Sequence, residues 1–289
     1  MRRVLWLCVL LTLSAVACSG GDESSPSSGS GGASGTSGAG GSTGGGGGSV
    51  APAMCGERGS IIEVSTGTLA ALRGCTTIEG SLVIRDTALM DLRELSQLTH
   101  VTGDLSLSAN HQLTKLDGLE ALTAVDGRLA INDSNAVLPL TSIAALRNLE
   151  RVGSLYLGTL QVLATLDGLD ALRAIDGELM LDGPGALADI SALSGLTSLG
   201  RLGIERTGAL ADLTGLDNVA TVRGDVSITG NEALTSLAAL DGLERIDGNL
   251  SVTDNELLPQ RCAEALRAQV GSGLAGTFVA EGMDDAECP

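Results

Sequence analysis

Apolar and polar positions follow a fixed rhythm from residue 78 onward. One phrase recurs: Ile or Val, any residue, Gly, any residue, Leu, any residue, then Ile, Leu or Val. It stands at Ile78-Gly80-Leu82-Ile84, Val101-Gly103-Leu105-Leu107 and Val125-Gly127-Leu129-Ile131. It returns at Ile175-Gly177-Leu179-Leu181, Val222-Gly224-Val226-Ile228 and Ile246-Gly248-Leu250-Val252. Two shorter variants surround Leu155-Leu157 and Leu202-Ile204. The central apolar positions are Leu82, Leu105, Leu129, Leu155, Leu179, Leu202, Val226 and Leu250, spaced 23 to 26 residues apart. Self-similarity at that period marks a stacked-repeat architecture.

Within each phrase the apolar residues alternate, which is the period of a strand with one face buried. Between phrases the period becomes three, as in Leu113, Leu116, Leu119, Leu122 and Val125. Leu187, Ile190, Leu193, Leu196 and Leu199 form another such run, and Leu234, Leu237, Leu240, Leu243 and Ile246 a third. That period fits 3₁₀-like or polyproline-like backbone and fits an α-helix poorly. Each turn is therefore predicted to hold a short strand on one wall and an extended or 3₁₀ segment on the return wall. The Gly before each strand marks a bend or a close backbone approach. Asn110, Asn231 and Asn255 each fall three residues after the last strand apolar. Their side chains are expected to turn inward and bond backbone groups at the corner. Thr87, Ser134 or Thr207 takes that place in other turns.

No single turn can bury its apolar edge alone, but stacked turns can. The predicted fold is mainly β: a parallel, leucine-rich-repeat-like solenoid of about eight turns. Strands about 4.8 Å apart would make a rod roughly 35–40 Å long. Its ends would expose apolar surface and open strand edges, so both need caps.

Composition agrees with a thin core. Trp6, Tyr156 and Phe278 are the only aromatic residues in 289. Conventional globules usually fill a thick core with aromatics. The formal net charge is −18, from 17 basic and 35 acidic residues. Such a surface repels phosphate backbones, so nucleic acid is not an expected partner. Solubility is the plain reading of the acidity.

The chain begins with Arg2 and Arg3, then a short apolar run from Val4 to Leu13, too short to span a bilayer as a helix. Ala15-Val16-Ala17-Cys18 follows and resembles a bacterial lipobox, although that pattern prefers Leu where Ala15 stands. The resemblance implies a signal peptide over 1–17, a diacylglycerol on Cys18 and attachment to a membrane through that lipid. Ordinary signal-peptidase cleavage, giving a soluble secreted protein, is the alternative. Ser19 follows the Cys where retained inner-membrane lipoproteins often carry Asp, which favours the outer membrane or cell surface. Residues 19–53 are mostly Gly, Ser, Thr and Ala, a composition that cannot bury apolar surface. With Cys18 they form a tether, 18–53, whose coil reach is roughly 30–35 Å.

Cys8 lies in the signal segment, and four further cysteines flank the repeats: Cys55 and Cys75 before, Cys262 and Cys288 after. An even number in an exported protein argues for disulfides. Nearest-neighbour pairing would staple each cap. A zinc site is the rival reading, without C-x-x-C spacing or a nearby His to support it. At the C-terminal end Pro259 suits a first helical turn, Ala263 to Val270 favour helix and Gly271 can end it. Thr277-Phe278-Val279 reads as a last strand.

Cys55-Gly56, followed by Leu72-Arg73-Gly74-Cys75-Thr76-Thr77-Ile78-Glu79-Gly80-Ser81-Leu82-Val83-Ile84, closely resembles the opening of the receptor L domain. The pattern continues from residue 55 to the C-terminus. The resemblance implies a right-handed β-helix related to leucine-rich repeats and a pairing of Cys55 with Cys75. The recurring phrases and their flanks divide the folded part, 54–289, into an N-cap (54–77), repeats (78–256) and a C-cap (257–289). In that family the fold forms the ligand-binding lobes of insulin- and EGF-type receptors and occurs in bacterial surface lipoproteins. This chain lacks the receptors' Cys-rich module, second lobe and kinase, so a general binding role carries over and hormone binding does not.

Chemistry is hard to find. His100 and His111 are the only histidines, and neither has metal-ligand spacing, so solvated loop positions are expected. Gly271-Ser272-Gly273-Leu274-Ala275-Gly276 fits G-x-G-x-x-G in letters but follows a predicted helix instead of a strand. Asp117, Asp167 and Asp241, with Asp126, Asp176 and Asp247, recur near glycines. Stacked Asp could hold Ca²⁺, but solvated turns are the better reading, and no metal or cofactor is expected. The remaining candidates are the outward strand positions Arg128, Tyr156, Glu178, Met180, Arg201 and Glu205, because Tyr and Arg are favoured interface anchors. These make a binding or adhesion wall for a protein or glycan the leading expectation. A structural envelope spacer without a specific ligand is the alternative. A polysaccharide-acting enzyme is the weakest reading, since no acid–base cluster marks one wall.

Overall fold

The computed structural model describes residues 53–65, 67–132 and 138–288. The signal segment, Cys18, the tether up to residue 52 and Ser134 lie outside the described residues.

The chain is mainly β. The strands begin with β1 (Ala53–Cys55), β2 (Ile61–Val64), β3 (Cys75–Ile78), β4 (Ser81–Arg85), β5 (His100–Val101) and β6 (Leu105–Ser108). Four longer strands follow: β7 (Ala124–Ile131), β8 (Arg151–Gly158), β9 (Ala174–Asp182) and β10 (Ser198–Glu205). The last are β11 (Thr221–Val222), β12 (Val226–Thr229), β13 (Arg245–Ile246), β14 (Leu250–Thr253) and β15 (Phe278–Glu281). All fifteen join one sheet, and each pairing is parallel.

The register aligns the recurring leucines. Leu82 pairs with Leu105, Leu105 with Leu129, Leu129 with Leu155, and Leu155 with Leu179. Leu179 pairs with Leu202, Leu202 with Val226, Val226 with Leu250, and Leu250 with Phe278. From Leu82 to Leu250 these side chains are fully or almost fully buried. A second column runs two residues later, from Ile84 through Leu107, Ile131, Leu157, Leu181, Ile204 and Ile228 to Val252, and is equally dry. The return wall carries the period of three. Short 3₁₀ turns stand at Leu69–Leu72, Arg93–Leu95, Ala144–Leu146, Ser191–Gly195 and Ala238–Leu240. The leucines of the three runs face one continuous core.

Each repeat Gly stacks backbone on backbone. Gly103 donates its N–H to the Gly80 carbonyl at 2.8 Å, and Gly127 donates to Gly103 at 3.0 Å. A Cβ on Gly103 would lie 2.6 Å from the Gly80 carbonyl carbon, closer than any side chain tolerates. The inward Asn expectation holds for Asn110, Asn231 and Asn255, all fully buried. Asn110 Oδ1 accepts from the Thr87 hydroxyl at 2.7 Å while Nδ2 donates to the Ile84 carbonyl at 2.8 Å. Thr207 and Asn231 repeat that arrangement, and Asn255 continues it. Asn132 was not anticipated: it is also buried and donates to the Thr159 carbonyl at 3.1 Å.

Both ends are stapled. Cys55 bonds Cys75, with Cα atoms 5.8 Å apart, and Cys262 bonds Cys288 at 5.0 Å. All four cysteines are thereby used, which replaces the zinc alternative. Helix α1 (Gln260–Val270) starts after Pro259 and stops at Gly271, whose φ is +53°. It lays Cys262, Ala263, Leu266 and Val270 over the last repeat. The glycine-rich stretch after it opens as a 3₁₀ turn, Gly271–Gly273, and so lacks the strand-to-helix setting that phosphate binding needs.

Candidate binding face

Alternation along β7–β10 sends every second side chain out of the sheet, and register sets these in rows across the strands. The middle row runs Ala130, Tyr156, Met180, Gly203, Ser227 and Ser251. It is a row of small side chains interrupted by two large ones, Tyr156 and Met180, which are direct cross-strand partners. Both lie down over glycines. A Cβ on Gly158 would come within 2.6 Å of the Tyr156 ring, and one on Gly203 within 2.5 Å of the Met180 methyl. Only Gly leaves room for those postures.

Tyr156 is held from two further directions. The Arg128 guanidinium sits 4.3 Å from its ring centroid, a cation–π contact. Its hydroxyl donates to Asp182 Oδ2 at 3.3 Å. Tyr156 is accordingly half-buried and clamped, not a free exposed aromatic.

A charged row follows on one side of this ridge. Asp182, Glu205, Thr229 and Thr253 are in register. Arg206, at the corner, donates to Asp182 and to Glu205. Glu205 accepts from the Ser227 hydroxyl at 3.4 Å, and Thr229 and Thr253 share a hydrogen bond at 3.1 Å. Glu205 thus belongs to a hydrogen-bonded chain that reaches Tyr156 through Asp182.

On the other side, Arg201 meets Asp225 at 2.9 Å and lies 4.0 Å from Glu178. This row also does structural work that sequence reasoning missed. The residue after each repeat Gly often hands its side chain to the next turn's backbone. Arg128 N–H donates to Asp104 Oδ1 at 2.7 Å, Glu178 N–H to Ser154 Oγ at 3.1 Å, and Asn249 N–H to Asp225 Oδ1 at 2.9 Å. The signal was visible as Gly followed by Ser, Asp or Asn at Ser81, Asp104, Ser154, Asp225 and Asn249. The hydrogen bond from Asn249 N–H, with help from Arg201, holds the Asp225 carboxyl below its usual range against the effect of burial.

The six proposed positions are therefore brought together on one wall, with Arg128, Tyr156 and Met180 at its centre. His100 departs from expectation. It lies in β5, not in a solvated loop, and its Nε2 is 2.9 Å from Asp126 Oδ2. The contact is off-axis and is not an aligned hydrogen bond. Arg151 takes the other Asp126 oxygen. The turn aspartates are likewise engaged: Asp247 pairs with Arg245 at 2.6 Å, and Asp167 accepts from Thr165 at 2.8 Å. Among the described residues no group of three or more His, Cys, Asp or Glu is placed to hold a metal ion. No helix among them is long and apolar enough to cross a membrane.

No curated protein matches this chain. The receptor L domain family model matches residues 74–163, from the glycine before Cys75 through the strand that carries Tyr156. Across those residues the chain is receptor L-domain-like.

Proposed function

We propose that this is a lipid-anchored binding module of a bacterial cell envelope. A signal peptide over 1–17 is removed, Cys18 carries the lipid, and 18–53 is the tether. Residues 54–289 form a right-handed solenoid of about eight turns that offers its outer sheet wall to a protein or glycan, without catalysis. The lipobox-like Ala15–Cys18 supports the anchor. Two disulfides suit an oxidising compartment outside the cytoplasm. Ser19 favours the outer membrane or cell surface. The ligand-binding use of the receptor L domain supports the binding role.

One observation carries the reading: a clamped Tyr–Met pair, with arginines on either side, set in a wall of otherwise small residues. Tyr, Met and Arg are the residues enriched at interface cores. The test is a protein and glycan array probed with the wild-type chain and with Tyr156→Ala/Met180→Ala. Specific binding that drops at least about tenfold in the double variant is expected, since a hot-spot anchor is worth 2 kcal/mol or more. Binding that survives unchanged would move the site elsewhere. A wild-type chain that binds nothing reproducibly would leave the envelope-spacer role. For the anchor, Cys18→Ser should shift the protein from the detergent phase to the aqueous phase in a cloud-point partition.

A further inference from the structure

The guanidinia on the outer wall are not alike. Arg85 meets Glu63 at 3.0 Å, Arg151 meets Asp126, Arg201 meets Asp225 at 2.9 Å and Arg206 meets Asp182. Arg128 makes no ion pair with any described carboxylate. Its backbone N–H is fixed by Asp104, and its side chain rests on the Tyr156 ring at 4.3 Å. Stacking uses the flat face of the guanidinium and leaves its in-plane N–H groups directed outward. The neighbouring carboxylates are already committed: Asp104 to the Arg128 backbone, Asp126 to His100 and Arg151, Asp182 to Tyr156 and Arg206. Arg128 is thus a half-buried cation without an ion pair at the centre of a wall where Arg85, Arg151, Arg201 and Arg206 are each paired.

We propose that Arg128 is the anchor for a carboxylate of a protein partner, and that an apolar side chain next to that carboxylate packs on Met180 and against the edge of the Tyr156 ring. The inference rests on the outer wall being the binding face. Charge complementarity identifies the group: a planar guanidinium with free in-plane donors is matched by a planar carboxylate held through two parallel hydrogen bonds. The neighbouring surface points to a protein over a glycan. The thioether of Met180 adapts to varied apolar side chains, and the Tyr156 face that could stack on a sugar is occupied by Arg128. Gly158 and Gly203 act as positioning residues, since any side chain there would lift Tyr156 or Met180.

Tyr156 is the sole tyrosine, so full-length protein labelled with ¹³C-tyrosine and ¹³C-methyl methionine reports the site directly. N-acetyl-leucinate, N-acetyl-leucinamide and glucuronate are titrated separately. N-acetyl-leucinate is expected to shift the Tyr156 ring and Met180 methyl signals at concentrations about tenfold lower than the neutral amide, the effect of one charge-assisted pair. Arg128→Gln should abolish that preference while the melting temperature stays within a degree or two. Equal titration by acid and amide would overturn the anchor while leaving the wall as a binding surface. Preferential shifts with glucuronate would overturn the protein partner in favour of an acidic glycan. Silence with all three probes would overturn the anchor, and the Tyr156→Ala/Met180→Ala array comparison would then decide the wall independently.

Discussion

Asn231 donates its side-chain amide to Asn255 Oδ1, one repeat further on, at 3.0 Å, and both residues are fully buried. The same Asn231 accepts from the backbone and hydroxyl of Thr207 and donates to the Ile204 carbonyl. One side chain therefore links its own turn to the turns before and after it at a corner from which water is excluded.

Asn231→Leu keeps the volume and removes every one of those bonds. The orphaned groups of Thr207 and Ile204 each cost desolvation, while Asn255 Oδ1 keeps only the Asn231 backbone N–H, so a loss of about 3 kcal/mol is expected. Asn218→Ala serves as the comparison, because Asn218 makes an exposed bond to the Ser194 carbonyl at 2.9 Å. It should cost under about 1 kcal/mol. Urea unfolding of both variants measures the difference. Equal losses would mean that the buried ladder is no more than a surface contact in energetic terms.

The ladder was legible in sequence because Asn110, Asn231 and Asn255 share one offset from the strand. Asn132 was not legible because its turn is out of step. It takes a left-handed φ of 57° one residue after Ile131, whereas Asp86 and Ala109 do so two residues after their strand apolar. The leucine columns were readable for a similar reason: stacking forces equivalent residues into equivalent surroundings. The pairing of charges across turns was not readable. Arg206 and Asp182, or His100 and Asp126, are adjacent only because of register, and a spacing of about 24 residues carries no charge signature. The clamped posture of Tyr156 depended on Gly158 and Arg128 together, and no periodicity announces that.

Gly103→Ala tests the backbone stack. The added carbon would meet the Gly80 carbonyl carbon at 2.6 Å and its oxygen at 2.7 Å, both main-chain atoms that cannot swing away. Relief requires separating two turns, so a loss of about 2–4 kcal/mol is expected. At Gly67 a Cβ meets nothing within 4 Å, and Gly67→Ala should change the midpoint by no more than about 0.5 kcal/mol. Thermal melts of the two proteins side by side decide it; a tolerated Gly103→Ala would contradict the close stacking.

Thr159 holds a β-branched side chain at a φ of +45°. The left-handed region costs such a residue about 1–2 kcal/mol, and Asn tolerates it far better. The equivalent corner in the next turn is Gly183, at φ +71°. Thr159→Asn is therefore expected to stabilise the protein by about 1 kcal/mol, read as a higher urea midpoint with an unchanged slope. A lower midpoint would show that the Thr side chain contributes more through its contacts than the strain costs.

Asp126 contacts the turn before it through His100 and the turn after it through Arg151. Burial pushes its carboxyl up, but the Arg151 guanidinium hydrogen-bonded to it and the His100 ring beside it outweigh burial and hold it below the usual carboxylate range. A depressed folded-state value means the carboxylate stabilises the fold above its unfolded value, and that contribution disappears as pH falls through the folded value. Wild-type stability should accordingly drop on acidification below the ordinary aspartate range, and Asp126→Asn should flatten that part of the profile. The site is more than one-third exposed on the carboxylate side, so solvent screening keeps the effect modest. Melting temperatures of both proteins from neutral pH to pH 3 provide the check. Parallel profiles would mean that the three-turn contact has no energetic role.

The C-terminal staple should matter most where the solenoid is thinnest. Helix α1 covers the last repeat with only Cys262, Ala263, Leu266 and Val270. The Cys262–Cys288 bond spans a sequence separation of 26 that takes in β15 and all of α1 after its first two residues. Restricting a loop of that size in the unfolded chain is worth about 3 kcal/mol. A repeat protein unfolds from its ends when a cap is weakened, because each turn is held mainly by its neighbours. Cys262→Ser/Cys288→Ser should thus lower stability by about 3 kcal/mol and speed amide exchange first in β15 and β14. Exchange in β7 and β8 should stay close to wild type. Uniform acceleration across all strands would instead indicate a single cooperative unit, with the cap contributing to every turn equally.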